Sequence, residues 1–205
     1  MIGIVDYGMG NLRSVAKAFE LLGAEVIVSG KPEELQAAEK LVLPGVGAFG
    51  DGMANLRRMG LDKFLEAEVL GKKKPMLGIC LGMQLLAQEG FERGRNKGLG
   101  FIGGKVAKFE LEAQGLKVPH VGWNEVRFLG ENPLFRGLKD GACFYFVHSY
   151  HMVCDDKKDV SAVCDYGHEF TAAVRRGNIF GTQFHPEKSQ EAGLRVLENY
   201  IDMQA

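Results

Sequence analysis

The chain has 205 residues, 46% hydrophobic and 25% charged, with a formal net charge of −1. That length supports one large domain with a full core, and near-neutral charge without a basic patch excludes nucleic acid as the expected partner. No apolar run approaches the length of a membrane span, so no membrane association is expected. The opening Ile2-Gly3-Ile4-Val5 starts directly as a strand, with no secretion signal before it. Cys80, Cys143, Cys154 and Cys164 form no C-x-x-C pair and no zinc spacing. They read as reduced thiols of a cytoplasmic protein, with Cys143 and Cys164 as packing residues in apolar strands. There are 28 glycines, about twice average usage, without a period, which points to many tight turns.

Ile2 to Val5 reads as a buried strand, followed by the loop Asp6-Tyr7-Gly8-Met9-Gly10-Asn11. Leu12, Val15, Ala16, Phe19 and Leu22 recur at helical spacing before Gly23. Glu25 to Val28 is a second strand. A dinucleotide reading of Gly8 and Gly10 fails for want of a third glycine and an acidic partner on the next strand. Leu41 to Leu43 is a third strand, ending in the glycine-rich Pro44-Gly45-Val46-Gly47. This loop lacks the Lys-Ser/Thr ending of a phosphate-binding loop. Its glycines suit either a plain turn or backbone N–H groups that hold a developing oxyanion. Met53 to Leu70 carries helix broken near Gly60, and Lys72-Lys73-Lys74 is a solvated helix end.

Met76 to Ile79 is a fourth strand, and from Leu81 the apolar spacing turns helical up to Gly90. Cys80 sits at the switch, flanked by Gly78 and Gly82. This is the cysteine version of the G-x-S-x-G nucleophile elbow. A sharp strand-to-helix turn strains the nucleophile's backbone and leaves no room for side chains two residues away. The helix start then presents N–H groups that favour a thiolate.

After Gly90 the alternation gives way to a polar connection, Phe91 to Gly104, and then to short strands. These are expected at Val106 to Leu111, Val118 to Val121, Glu125 to Phe128, Cys143 to Val147, Val160 to Cys164 and Phe170 to Arg175. Asn132-Pro133-Leu134-Phe135 suggests one helical turn, Gly177-Asn178 a hairpin into Ile179 to Phe184, and Gln190 to Met203 a closing amphipathic helix. The predicted fold class is α/β: an open, mostly parallel sheet with helices on both faces and added antiparallel strands, in one domain over residues 1–205. His185 ends an apolar strand, and Glu187 follows across Pro186. Proline stops a helix there, and the spacing lets the carboxylate turn back on the imidazole and support its charge.

With Gly78-Ile79-Cys80-Leu81-Gly82-Met83-Gln84, Pro44-Gly45-Val46-Gly47 and Gln183-Phe184-His185-Pro186-Glu187 all present, the chain resembles the class I (triad) glutamine amidotransferases along its whole length. Asp6 to Asn11, Pro119-His120-Val121-Gly122-Trp123-Asn124, Phe146-Val147-His148-Ser149-Tyr150 and His185-Pro186-Glu187-Lys188-Ser189 are similar to one subfamily, the glutaminase subunits of imidazole glycerol phosphate synthase. The resemblance implies a three-layer α/β fold and a separate cyclase subunit with a (β/α)8 barrel.

It also implies glutamine as substrate, Cys80 as nucleophile, His185 as proton carrier and Glu187 as its support. The oxyanion donors would be Leu81 and one of Gly45, Val46 and Gly47. Gln84, Ser149 and Tyr150 would lie near the bound glutamine, and Asn11, Trp123 and Lys188 would face the cyclase. The chemistry needs no cofactor and no metal. Three rivals stay open: the glutaminase subunit of another synthase (pyridoxal phosphate or anthranilate), a cysteine hydrolase or redox sensor of similar fold, and an inactive binding subunit.

Overall fold

The computed structural model describes residues 1–111 and 115–203. Its centre is a nine-stranded sheet built from two kinds of sequence. The first half alternates strand and helix: β1 (Ile2–Val5), α1 (Leu12–Leu21), β2 (Val26–Ser29), α2 (Pro32–Leu35), β3 (Lys40–Gly45), α3 (Phe49–Arg58), α4 (Leu61–Leu65) and β4 (Met76–Cys80). β1, β3 and β4 are buried along their whole length, as strands covered on both faces must be. α3 and α4 are separated by Gly60 at φ +67. A π-helical turn, Glu66–Gly71, follows α4.

The short α5 (Leu81–Leu85) leads to β5 (Glu89–Gly90), β6 (Asn96–Lys97), β7 (Gly104–Lys108), β8 (His120–Phe128), β9 (Ala142–His148), β10 (Tyr150–Cys154), β11 (Val160–Asp165), β12 (Glu169–Arg176), β13 (Ile179–Thr182) and α6 (Gln190–Asp202). The large sheet runs β2-β1-β3-β4-β13-β12-β11-β8-β9. β13 lies parallel to β4, in register from Ile179 with Met76 to Thr182 with Ile79. β12, β11, β8 and β9 extend the sheet antiparallel. The ends of β4 and β13 therefore emerge side by side, and that places Cys80 near His185. Two apolar cores flank the sheet, one under α1 and α6, the other under α3, α4 and α5. No helix among the described residues is long and apolar enough to cross a membrane.

Four expectations need correction. The helix after Cys80 ends at Leu85 instead of running toward Gly90, because the chain folds back on its end. Leu99, Ile102 and Gly100 donate their N–H groups to the carbonyls of Leu85, Leu86 and Ala87. The segment Phe91 to Gly104 contributes β6 to a second sheet, β10-β7-β5-β6. His120 to Phe128 is one strand, where two strands with turns between were expected; Gly122 takes φ +145 without ending the ladder to β9. Cys143 is exposed while Cys164 is buried, because Cys143 falls on the outward phase of β9, where Phe144, Phe146 and His148 point inward.

Candidate active site

Cys80 closes β4 with φ +54 and ψ −109, a backbone conformation that costs a non-glycine residue on the order of 1–3 kcal/mol. The neighbours enforce it. A Cβ on Gly82 would stand 1.7 Å from the carbonyl oxygen of Leu43, and one on Gly78 would stand 2.7 Å from the carbonyl oxygen of Gly82. Both obstacles are backbone, so neither yields. The packing of α5 against β3 thus demands glycine at 82, and its packing against β4 demands glycine at 78, on either side of the turn at Cys80.

Its sulfur reaches a cleft of about 400 Å³ lined by Val46, Gly47, Ala48, Leu81, Gln84, Glu92, Arg93, Pro119, Val147, His148, Ser149 and Tyr150.

His185 is buried just after β13. Its Nδ1 lies 2.8 Å from Oε1 of the equally buried Glu187, in the turn Pro186–Lys188. Burial by itself disfavours a charged imidazole. The Cys80 sulfur and the Glu187 carboxylate, through hydrogen bonding and negative charge, outweigh it and hold His185 up at about 10. Nε2 of His185 has no well-formed hydrogen bond among the described residues. The main chain of His185 is held as well: its N–H donates to the Tyr145 carbonyl at 3.0 Å, and Ser189 Oγ donates to its carbonyl at 2.6 Å. The arrangement suits a sulfur nucleophile with an imidazolium that can return a proton to a leaving group. Since α5 has only five residues, little helix dipole reaches the sulfur. The charge beside it comes from His185.

Of the other candidate residues, Leu81, Val46 and Gly47 line the cleft, Gly47 at φ +112. As first residue of α5, Leu81 has an N–H with no intrahelical partner. Gly45 is paired with Cys80 inside the sheet, backed by the Tyr7 hydroxyl, 2.1 Å from where its Cβ would be. Gln84, Ser149 and Tyr150 line the cleft. Asn11, Trp123 and Lys188 lie outside it. Trp123 is 46% exposed, its ring centroid 6.0 Å from that of Tyr145, and Lys188 Nζ sits 5.8 Å from the same Tyr145 ring. Asn11 caps α1, accepting from Ser14 N–H at 3.3 Å, and α1 packs on the turn that carries Lys188.

Sequence reasoning gave Gln183, His148 and Tyr7 no role. Gln183 is fully buried, donates from Nε2 toward Cys80 Sγ at 3.7 Å and accepts from Gln84 at 3.0 Å. Its signal was a polar side chain inside a strand predicted to be buried. The Tyr7 hydroxyl is buried without a hydrogen-bond partner among the described residues, and its ionisation is pushed far up by burial and by the charge of Cys80.

Comparison with known proteins agrees with this architecture. A family model, glutamine amidotransferase class-I, matches residues 3–203. The chain is 53% identical over 201 residues to the imidazole glycerol phosphate synthase subunit HisH 1 of Campylobacter jejuni, covering 98% of this chain and 99% of that one. It is 48% identical to the HisH 2 subunit of Methanococcus maripaludis, covering 98% of each. Among solved structures, PurLQS from Thermotoga maritima superposes with a TM-score of 0.77 at 23% identity, covering 98% of this chain and 97% of that one. A glutamine amidotransferase from the same organism gives a TM-score of 0.65 at 20% identity, covering 98% of this chain and 81% of that one. The chain belongs to the class-I glutamine amidotransferase family, in the group of imidazole glycerol phosphate synthase HisH subunits.

Proposed function

We propose that this chain hydrolyses glutamine to glutamate and ammonia with Cys80 as nucleophile, as the glutaminase subunit of an imidazole glycerol phosphate synthase in histidine biosynthesis. The observation that carries the reading is the strained Cys80 beside a buried, charge-supported His185–Glu187 pair. The Cys80 sulfur attacks the side-chain amide carbon of glutamine. N–H groups of Leu81 and of the Gly45-Val46-Gly47 loop hold the oxyanion. His185 gives its proton to the departing nitrogen, and ammonia leaves. Water, deprotonated by His185, then attacks the thioester carbon, the C–S bond breaks, and glutamate is released. Gln84, Ser149 and Tyr150 line the space for the glutamine.

The ammonia passes to a (β/α)8-barrel cyclase subunit seated over Trp123, Lys188 and Asn11. That subunit makes imidazole glycerol phosphate and an aminoimidazole carboxamide ribotide from its phosphoribulosyl-formimino substrate. The four free cysteines fit a reducing, cytoplasmic setting. The test is ammonia release by the chain alone, with the cyclase, and with the cyclase and its nucleotide substrate. The expected result is slow hydrolysis alone and a rise of about a hundred- to a thousand-fold in the complete system, the worth of one oxyanion donor. Cys80→Ala in the complete system is expected to release none. Undiminished hydrolysis by Cys80→Ala defeats the reading.

A further inference from the structure

His120 of β8 and His148 of β9 are buried and face each other across the ladder, His120 Nδ1 lying 3.1 Å from His148 Nε2. His148 Nδ1 is 2.8 Å from the Tyr150 carbonyl oxygen. His120 Nε2 is 3.1 Å from Nδ2 of Asn124, which also donates to the Asp165 carbonyl at 3.2 Å. Only one placement of protons satisfies all of these contacts. A carbonyl only accepts, so His148 Nδ1 carries a proton. An amide nitrogen only donates, so His120 Nε2 accepts, and His120 Nδ1–H donates to His148 Nε2. A second proton on either ring would set two N–H groups against each other. Burial agrees, lowering His120 to about 4 and His148 to about 3. The rings of Phe109, Phe146 and Phe170 lie around His148, each tilted to it. With all four ring nitrogens spent, the pair serves neither as a base nor as a metal site.

The chain of bonds runs on to the sulfur. The Tyr150 carbonyl takes a second hydrogen bond, from Gln84 Nε2 at 2.9 Å. Gln84 also reaches Gln183, and Gln183 reaches Cys80. Two donors on one carbonyl hold the main chain of Tyr150 in place, and Tyr150 lines the cleft beside Ser149.

We propose that His148, held in its neutral Nδ1–H form by His120 and Asn124, is a positioning residue that fixes the Ser149–Tyr150 wall against which glutamine is bound. The inference rests on the glutaminase reading. Fixing the wall in advance removes an ordering cost from substrate binding. His185 has separate supports in Tyr145 and Ser189, so losing His148 acts on binding more than on turnover.

Two variants separate this role from packing. His148→Phe keeps the ring in its aromatic surroundings but removes the donor. His148→Asn fills the space poorly but sets an amide N–H where Nδ1–H stands. In the complex of the chain with its cyclase partner, His148→Phe is expected to raise the KM for glutamine about tenfold, the worth of one buried hydrogen bond, with kcat within about threefold. His148→Asn is expected to recover most of that loss. Equal KM values, or a better KM for Phe than for Asn, overturn the inference. In addition, ¹⁵N spectra of the unmodified chain at pH 6 are expected to show both histidines neutral and protonated on Nδ1; an Nε2–H or charged ring there also overturns it. A wild-type complex without glutaminase activity defeats the glutaminase reading itself, whereas an active complex with Phe equal to or better than Asn defeats only the role of His148.

Discussion

At the scale of single residues, the site depends on a charge held against burial. Desolvation pushes the buried His185 toward neutrality, and Cys80 and Glu187 reverse that. Glu187→Gln removes the carboxylate but keeps the hydrogen-bonding shape. The His185 imidazolium is then expected to lose its proton at lower pH, so the alkaline limb of the kcat/KM profile moves down from near 10. His185→Ala removes the proposed proton carrier, a role worth about 10² to 10⁴ in rate, and is expected to cost more than Glu187→Gln at neutral pH. Equal losses, or an unmoved alkaline limb in Glu187→Gln, would contradict this division of roles. Cys80, His185 and Glu187 were legible because glycine and proline mark their backbone positions in the sequence. The contacts of Gln183 and His148 were not, because they depend on Gln84, Tyr150 and His120, which the fold, and not the local sequence, brings to them.

At the scale of elements, the elbow is a packing problem solved by glycine. Gly82→Ala drives a Cβ into the Leu43 carbonyl, an overpacking expected to cost about 1–3 kcal/mol, or about 3–10 °C in Tm. Gly71→Ala is the control, since its Cβ would meet nothing within 4 Å. Melting curves that place both variants at the wild-type Tm would refute the steric origin of the elbow. The parallel strands were legible as continuous apolar runs. The small sheet was not: β5 and β6 have two residues each, too few for any period. Nor does local sequence tell that the chain changes sheets at Ser149, between β9 and β10.

For the whole molecule, the histidines pull stability in opposite directions along the pH axis. His185 binds its proton more tightly folded than unfolded, so its contribution is full below about 6.5 and is lost as pH rises through about 10. His120, His148 and His151, held near 4, 3 and 4 by burial, contribute fully above about 6.5, and that stability is lost as pH falls through those values. Stability is expected to peak near pH 6.5, and the acid limb of the Tm profile is expected to flatten in His148→Phe. An unchanged acid limb would show that His148 takes up its proton without disturbing the fold.

The central claim is that glutamine is opened by the sulfur of Cys80. Its most direct test is covalent trapping with diazo-oxo-norleucine, a glutamine analogue, on the chain bound to its cyclase partner. Intact mass and peptide mapping are expected to show a single adduct per chain, on Cys80, absent from Cys80→Ser and blocked by excess glutamine. An adduct on Cys143, Cys154 or Cys164 in place of Cys80 would contradict the claim.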